Sequence, residues 1–280
     1  MIQTEGFFPS NGRWLFYRCW HTVPKRGEIL AIHGIAEHSG RYYEIARAMT
    51  QEGYNFYSFD LTGHGRSEGK RGYINSYEEY VLDIANFYGF LRVYRNMGEP
   101  FILGHSLGGL LAMLFTAVQH CPSKGLILSA PLLRLKLNFS ILQKLQLTFL
   151  NLFYPTFYFE NKIEPQFLTH DRGLMEEYMA DPLVQHHIAA RCFVQILKAM
   201  RQVEYIAPHF KVPALLLHGE HDQIADIEGC KTLFEKMVGD KEFYIVPDGY
   251  HEVFNETGRD QITSKTIEWL NSKNSETGSN

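Results

Sequence analysis

Short, uninterrupted apolar runs alternate along this chain with longer stretches whose apolar residues recur at helical spacing. The runs at residues 28–32, 55–60, 101–103, 125–129, 212–217 and 241–247 end in glycine, proline or polar clusters. Runs of this kind read as strands buried in a mostly parallel sheet. Residues 4–20 are broken at Pro9-Ser10-Asn11-Gly12, which predicts an antiparallel pair with a turn. Residues 76–94 have helical spacing, with Ser76 placed to cap the helix and Glu79 at the capping-box position. A last helix is predicted over 261–272, and the polar residues 271–280 predict a disordered tail. Strands alternating with helices define an α/β architecture.

The alternation stops between Pro131 and about Pro208. This section lacks strand patterning and is dominated by helix-like segments. It therefore reads as a helical insertion over 131–208, set into a body made of 1–130 and 209–272, with 273–280 as the tail. Its front half carries Leu142, Leu145, Phe149, Leu152, Phe153, Phe157, Tyr158 and Phe159. Lys136, Gln143, Lys144, Gln146 and Asn151 interrupt that apolar surface, and Pro155 ends a helix there. An insertion packing an apolar face on the core accounts for the composition, and so does a lid over an apolar ligand.

Chemistry concentrates at the strand ends. Phe101-Ile102-Leu103-Gly104-His105-Ser106-Leu107-Gly108-Gly109 has the form strand, G-x-S-x-G, then helix. A sharp strand-to-helix turn forces the serine hydroxyl out above the sheet edge, and the glycines allow the strained backbone and its close neighbours. The following helix aims amides and its positive dipole end at an oxyanion formed there. Such an elbow requires an acid and then a histidine later in the chain. Asp222 follows the run at 212–217, and His251 follows the run at 241–247. Both sit past the carboxyl ends of strands, where open α/β sheets place their sites. His251 is thus the expected general base for Ser106, and Asp222 the group that orients and stabilises its charged ring. The amides of Ile35 and Leu107 are the expected oxyanion donors, the first from the turn His33-Gly34-Ile35.

Composition narrows the field. A chain of 280 residues can bury one large core, and 45% hydrophobic with 21% charged residues is ordinary for a globular protein. A net charge of −4 without a basic cluster argues against nucleic acid as a partner. Cys19, Cys121, Cys192 and Cys230 lack disulfide or metal spacing and read as free thiols of a reducing, cytoplasmic compartment. No basic-then-apolar leader and no membrane-length apolar run is visible. His33, His38, His218 and His221 form no recognised zinc pattern, so no metal is expected. Gly63-His64-Gly65 lacks the lysine of a phosphate loop, and no cofactor is expected.

Four stretches together resemble the α/β-hydrolases, and within them the monoacylglycerol lipase and lysophospholipase-like group of serine aminopeptidase S33 type. They are His33-Gly34-Ile35-Ala36-Glu37-His38-Ser39-Gly40-Arg41-Tyr42, then Asp60-Leu61-Thr62-Gly63-His64-Gly65-Arg66-Ser67-Glu68-Gly69, then the elbow, then Asp222 with His251. Arg71-Gly72 also fits, and the likeness runs over about 28–270 with the middle section least similar. Leu107 departs from the methionine often found there. The resemblance implies an α/β-hydrolase fold: a mostly parallel eight-stranded sheet flanked by helices, with an inserted helical lid. It implies a cofactor-free serine hydrolase for lipid esters such as monoacylglycerol or lysophospholipid. Leu145, Phe149 and Phe153 would then contact the acyl chain, and the lid could rest on a membrane surface. Alternatives are a short-chain carboxylesterase or thioesterase, an aminopeptidase-like hydrolase, and a non-catalytic binding relative.

Overall fold

The computed structural model describes residues 1–118, 121–136, 139–161 and 163–276. β1 (Ile2–Ser10) and β2 (Arg13–His21) pair as a hairpin turned by Asn11 and Gly12. Both turn residues have positive φ, 50° and 73°, which gives the primed turn whose twist suits a two-residue hairpin. The body continues as β3 (Gly27–Ile32), α1 (Tyr43–Gln51), β4 (Tyr54–Phe59), α2 (Tyr77–Tyr94), β5 (Phe101–His105), α3 (Leu107–Val118) and β6 (Gly125–Ser129). Next come α4 (Ile141–Phe153), β7 (Tyr158–Glu160), α5 (Arg172–Ala180), β8 (His187–Ala189) and α6 (Ala190–Ile206). The chain then returns to the sheet with β9 (Ala214–Gly219), α7 (Ile227–Glu235), β10 (Lys241–Val246) and α8 (Arg259–Glu276).

Eight strands form one sheet in the order β1-β2-β4-β3-β5-β6-β9-β10, and only β2 runs against its neighbours. Successive side chains of a strand face opposite sides, so a strand covered by helices on both faces must be apolar at every position. β3 shows the consequence. Leu30 and Ile32 join the core beneath α2 and α3, whereas Ile29 and Ala31 join Ile45 and Met49 of α1 and Trp269 and Leu270 of α8. Burying each such leucine or isoleucine is worth about 1.5–3 kcal/mol. The carboxyl ends of β3, β5, β9 and β10 therefore lie at one sheet edge, which is where the four sequence stretches converge.

Several local expectations need correction. Ser76 does stand at the N-cap of α2, but its hydroxyl donates to Glu78 and caps no amide. Glu79 accepts from the Asn75 amide at 2.9 Å and pairs with Arg13. A capping box forms instead at α4, between Ser140 and Gln143. The segment between β6 and β9 is not free of strands: β7 and β8 pair antiparallel over three residues each, too short to show a period in the sequence. The expected tail is also shorter. α8 runs to Glu276, tied down by Lys273 to Asp240 at 2.6 Å and by Asn274 to the Arg26 carbonyl at 2.9 Å. The rest of that expected tail, 277–280, lies outside the described residues.

Candidate active site

Ser106 sits between β5 and α3 with φ 51°, a left-handed conformation that costs a non-glycine residue on the order of 1–3 kcal/mol. Main-chain bonds hold it there. Its amide donates to the Ser129 carbonyl at 2.9 Å, and its carbonyl accepts from Leu132 at 2.9 Å and Gly109 at 3.0 Å. Asp222 lies in the turn after β9, where its Oδ1 accepts from the amides of Ile224 at 2.7 Å and Ala225 at 3.0 Å. His251 lies in the turn after β10. The two turns are joined by the His221 amide donating to Gly249 at 2.8 Å and the Glu220 amide donating to Val246 at 3.0 Å.

The structure brings Ser106, His251 and Asp222 together. Ser106 Oγ donates to His251 Nε2 at 2.9 Å, and His251 Nδ1 donates to Asp222 Oδ2 at 2.8 Å. All three are buried. His218, fully buried, places Nε2 3.1 Å from the same Asp222 oxygen. Burial alone would raise the Asp222 pKa, but His251 and His218 hold it well below the ordinary carboxylate range. Burial likewise opposes a charge on His251, yet Asp222, Glu252 and Glu37 outweigh it and raise the ring above its ordinary value.

Of the oxyanion candidates, Ile35 lies at the cavity and Leu107 follows the serine directly. Ile35 and Ser106 line one cavity of about 20 Å³. Leu107 is the first residue of α3, and the first amides of a helix lack intrahelical partners. The Ile35 turn is rigidly held. Leu61 donates to His33 Nε2 at 2.9 Å, so His33 Nδ1 carries the proton and donates to Gly34 O at 2.7 Å. The Gly34 amide donates to Glu37 Oε1 at 2.6 Å. Asp60 accepts from Ser39 and Arg66 and serves the same turn structurally.

The sequence reading missed the residues around this cavity. Glu37 and Glu252 line it, and Arg41 bridges them, with Nη2 2.6 Å from Glu252 and Nε 3.4 Å from Glu37. Ile163, Leu168 and Tyr178 roof it from the segment between β6 and β9. That segment is sewn to the body: Gln185 donates to Ala36 O and Ala189 to Gly72 O, both at 2.9 Å. His38 donates to Asp181 at 2.8 Å. The His251 amide donates to Phe167 O at 3.3 Å and that of Glu252 to Leu168 O at 2.8 Å. Glu252 lies next to His251 in sequence, and that adjacency was the available signal.

Leu145, Phe149 and Phe153, expected to contact the acyl chain, do not line this cavity. They are 63%, 52% and 66% exposed on α4. α4 leans on α6, and its Leu147 and Leu150 are half-buried while its other apolar residues face outward. A helix apolar on both sides does not reveal which side faces the core.

Among the described residues, Glu220, His221 and Asp248 place one potential cation ligand each within 4.8 Å of one another. All three are exposed and none lines the cavity. The four cysteines are free thiols. Among the described residues no helix is long and apolar enough to cross a membrane.

The sheet order, the strained serine after β5 and the acid and histidine after β9 and β10 define an α/β-hydrolase. Residues 23–258 match the family model Hydrolase_4, described as serine aminopeptidase, S33, and the chain belongs to that family. It is 30% identical to the monoglyceride lipase of Rattus norvegicus over 267 residues, 94% of this chain and 87% of that one. The crystal structure of Paleococcus ferrophilus monoacylglycerol lipase is similar with a TM-score of 0.84 at 30% identity, covering 92% of this chain and 99% of that one. An uncharacterized abhydrolase domain-containing protein of Dictyostelium discoideum is 30% identical over 282 residues. That match takes in 97% of this chain, which spans only 30% of that relative.

Proposed function

We propose that the chain is a serine hydrolase cleaving carboxylic esters of lipids, such as monoacylglycerol or lysophospholipid, through an acyl-enzyme on Ser106. The observation that carries this reading is the hydrogen-bonded line from Ser106 through His251 to Asp222, in a cavity it shares with Ile35. His251 Nε2 takes the serine proton as Oγ attacks the ester carbonyl. The amides of Ile35 and Leu107 hold the oxyanion, and the Nε2 proton passes to the departing alcohol. Water then attacks the acyl-enzyme with His251 again as base. Asp222 stays ionised throughout and fixes the ring, Nδ1–H toward its carboxylate.

A cavity of about 20 Å³ holds about one water and no acyl chain, so the ester enters only when part of the segment over it moves. That segment is the proposed lid, residues 131–208, and α4 is the part suited to rest on lipid. Ile141, Leu142, Leu145, Phe149, Leu152 and Phe153 are all exposed on it. Each side chain of this size buried in a lipid surface gains about 1.5–3 kcal/mol.

The test is kcat/KM across acyl esters of two to about sixteen carbons, each kept below its aggregation limit, beside aminoacyl amides. Each methylene buried contributes about 0.8 kcal/mol, so kcat/KM should climb with chain length until the pocket is filled. A maximum at acetate would favour a small-ester hydrolase, and selective turnover of aminoacyl amides a peptidase. Leu145→Ser with Phe153→Ser should slow hydrolysis of vesicle-borne long-chain esters about tenfold or more and leave soluble acetate turnover unchanged. Equal effects on both substrates would remove the lipid-surface role.

The raised pKa of His251 sets a pH dependence. Below that pKa the ring is an imidazolium and accepts no proton from Ser106, so activity is lost as pH falls. The acid limb of kcat/KM should have its midpoint above about 6.5, the ordinary histidine value, with a one-proton slope. A midpoint below about 6 in the folded protein would contradict the environment described for His251.

A further inference from the structure

We propose that Glu37 and Glu252 make this pocket select esters by the charge of the alcohol they release, accepting uncharged or cationic alcohols and rejecting those that carry a phosphate. The proposal rests on the ester-hydrolase reading and settles a choice that reading leaves open. His251 identifies the side on which the alcohol departs. The Nε2 that receives the Ser106 proton must hand it to the leaving oxygen, so the alcohol leaves beside the Nε2 edge of that ring. Glu252, the next residue, and Glu37 line the cavity there, 6% and 5% exposed.

The charges can be followed group by group. Arg41, with a hydrogen bond from the Asn255 side chain, holds Glu252 below the ordinary carboxylate range against the opposing effect of burial. Glu37 accepts from the Gly34 amide and the Tyr42 hydroxyl and faces the Arg41 guanidinium, partners suited to a carboxylate. Burial lowers the pKa of His105 and raises that of Tyr178 well above the ordinary phenol value, so both are uncharged near neutrality. Arg41 offsets one carboxylate and leaves one negative charge. The carboxylates line the cavity, whereas the guanidinium sits behind them, 4.8 Å from the Tyr178 ring centroid. Among the described residues no lysine or arginine lines the cavity. Charges this deeply buried are poorly screened, so a phosphate on the leaving alcohol meets a repulsion that a neutral polyol does not.

The experiment compares three dodecanoyl esters that differ only in the alcohol: glycerol, choline and glycerol phosphate, each below its aggregation limit. In the wild type kcat/KM for the phosphate ester should be roughly ten- to a hundredfold below that for the glycerol ester, with the choline ester at least equal to the glycerol ester. Glu252→Gln removes a negative charge and should narrow the phosphate penalty about tenfold; Arg41→Gln removes the positive one and should widen it. Damage to the pocket would move both variants the same way, so opposite shifts separate charge from structure. A phosphate ester within about threefold of the glycerol ester in the wild type, or parallel shifts in the variants, would overturn the proposal. Absence of turnover with all three esters would instead overturn the hydrolase reading on which it stands.

Discussion

Ser106→Ala and His251→Ala should each lower ester turnover by roughly three to six orders of magnitude, and the double variant should be little worse than either. The reason is geometric. Ser106 Oγ has His251 Nε2 at 2.9 Å as its proton acceptor, and His251 has Asp222 at 2.8 Å behind it. Groups that act as one chain lose most of their effect when any link goes, so the losses do not add. Residual turnover would come from the proposed oxyanion donors, the amides of Ile35 and Leu107, which neither substitution removes. A fluorophosphonate probe should label the wild type at one site, Ser106, and leave Ser106→Ala unlabelled. Labelling at another serine, or wild-type turnover in Ser106→Ala, would sink the assignment.

Gly108→Ala should cost at least about 3 kcal/mol of stability, although alanine is the better helix former. A Cβ on Gly108 would collide with the Ile32 carbonyl oxygen and lie 2.6 Å from that of His33. Both obstacles are backbone, so no side-chain rotation relieves them. The first turn of α3 would have to lift away from the end of β3. That movement would displace the Leu107 amide proposed as an oxyanion donor, so turnover should fall even where the variant folds. Thermal or denaturant unfolding measures the first effect, and kcat/KM on a soluble ester the second. A variant within about 1 kcal/mol of the wild type would show that the helix tolerates the shift.

Much of this arrangement was legible in the residues. Strands such as β3 and β6 must be apolar at every position because both faces are covered, and such runs stand out. Ser106, Asp222 and His251 could be found because each follows one of those runs directly. Other features were hidden for identifiable reasons. Arg41 and Glu252 meet across 211 residues, and no local pattern encodes that contact. The outward side of α4 was unreadable because both of its sides carry leucine. The Ser76 cap was misread because two acids follow it, and the hydroxyl bonds Glu78 rather than an amide. The tail past Ser272 was read as disordered from its polarity, yet Lys273 and Asn274 find partners on Asp240 and Arg26.

The seams between the segment over the cavity and the body limit which parts of this chain could be exchanged with those of its relatives. Phe167 and Leu168 fix the backbone of His251 and Glu252, Gln185 fixes the turn that carries Ile35, and Asp181 fixes His38. A graft replacing these residues would discard supports of the reacting groups, so foreign sequence there must recreate them bond for bond. α4 makes no such contribution to the cavity and leans mainly on α6. Crossover points on either side of α4 would therefore move surface character between homologues and leave the reacting groups supported as before. Drift in the chain should be fastest at that helix and slowest at the short stretches that clasp His251.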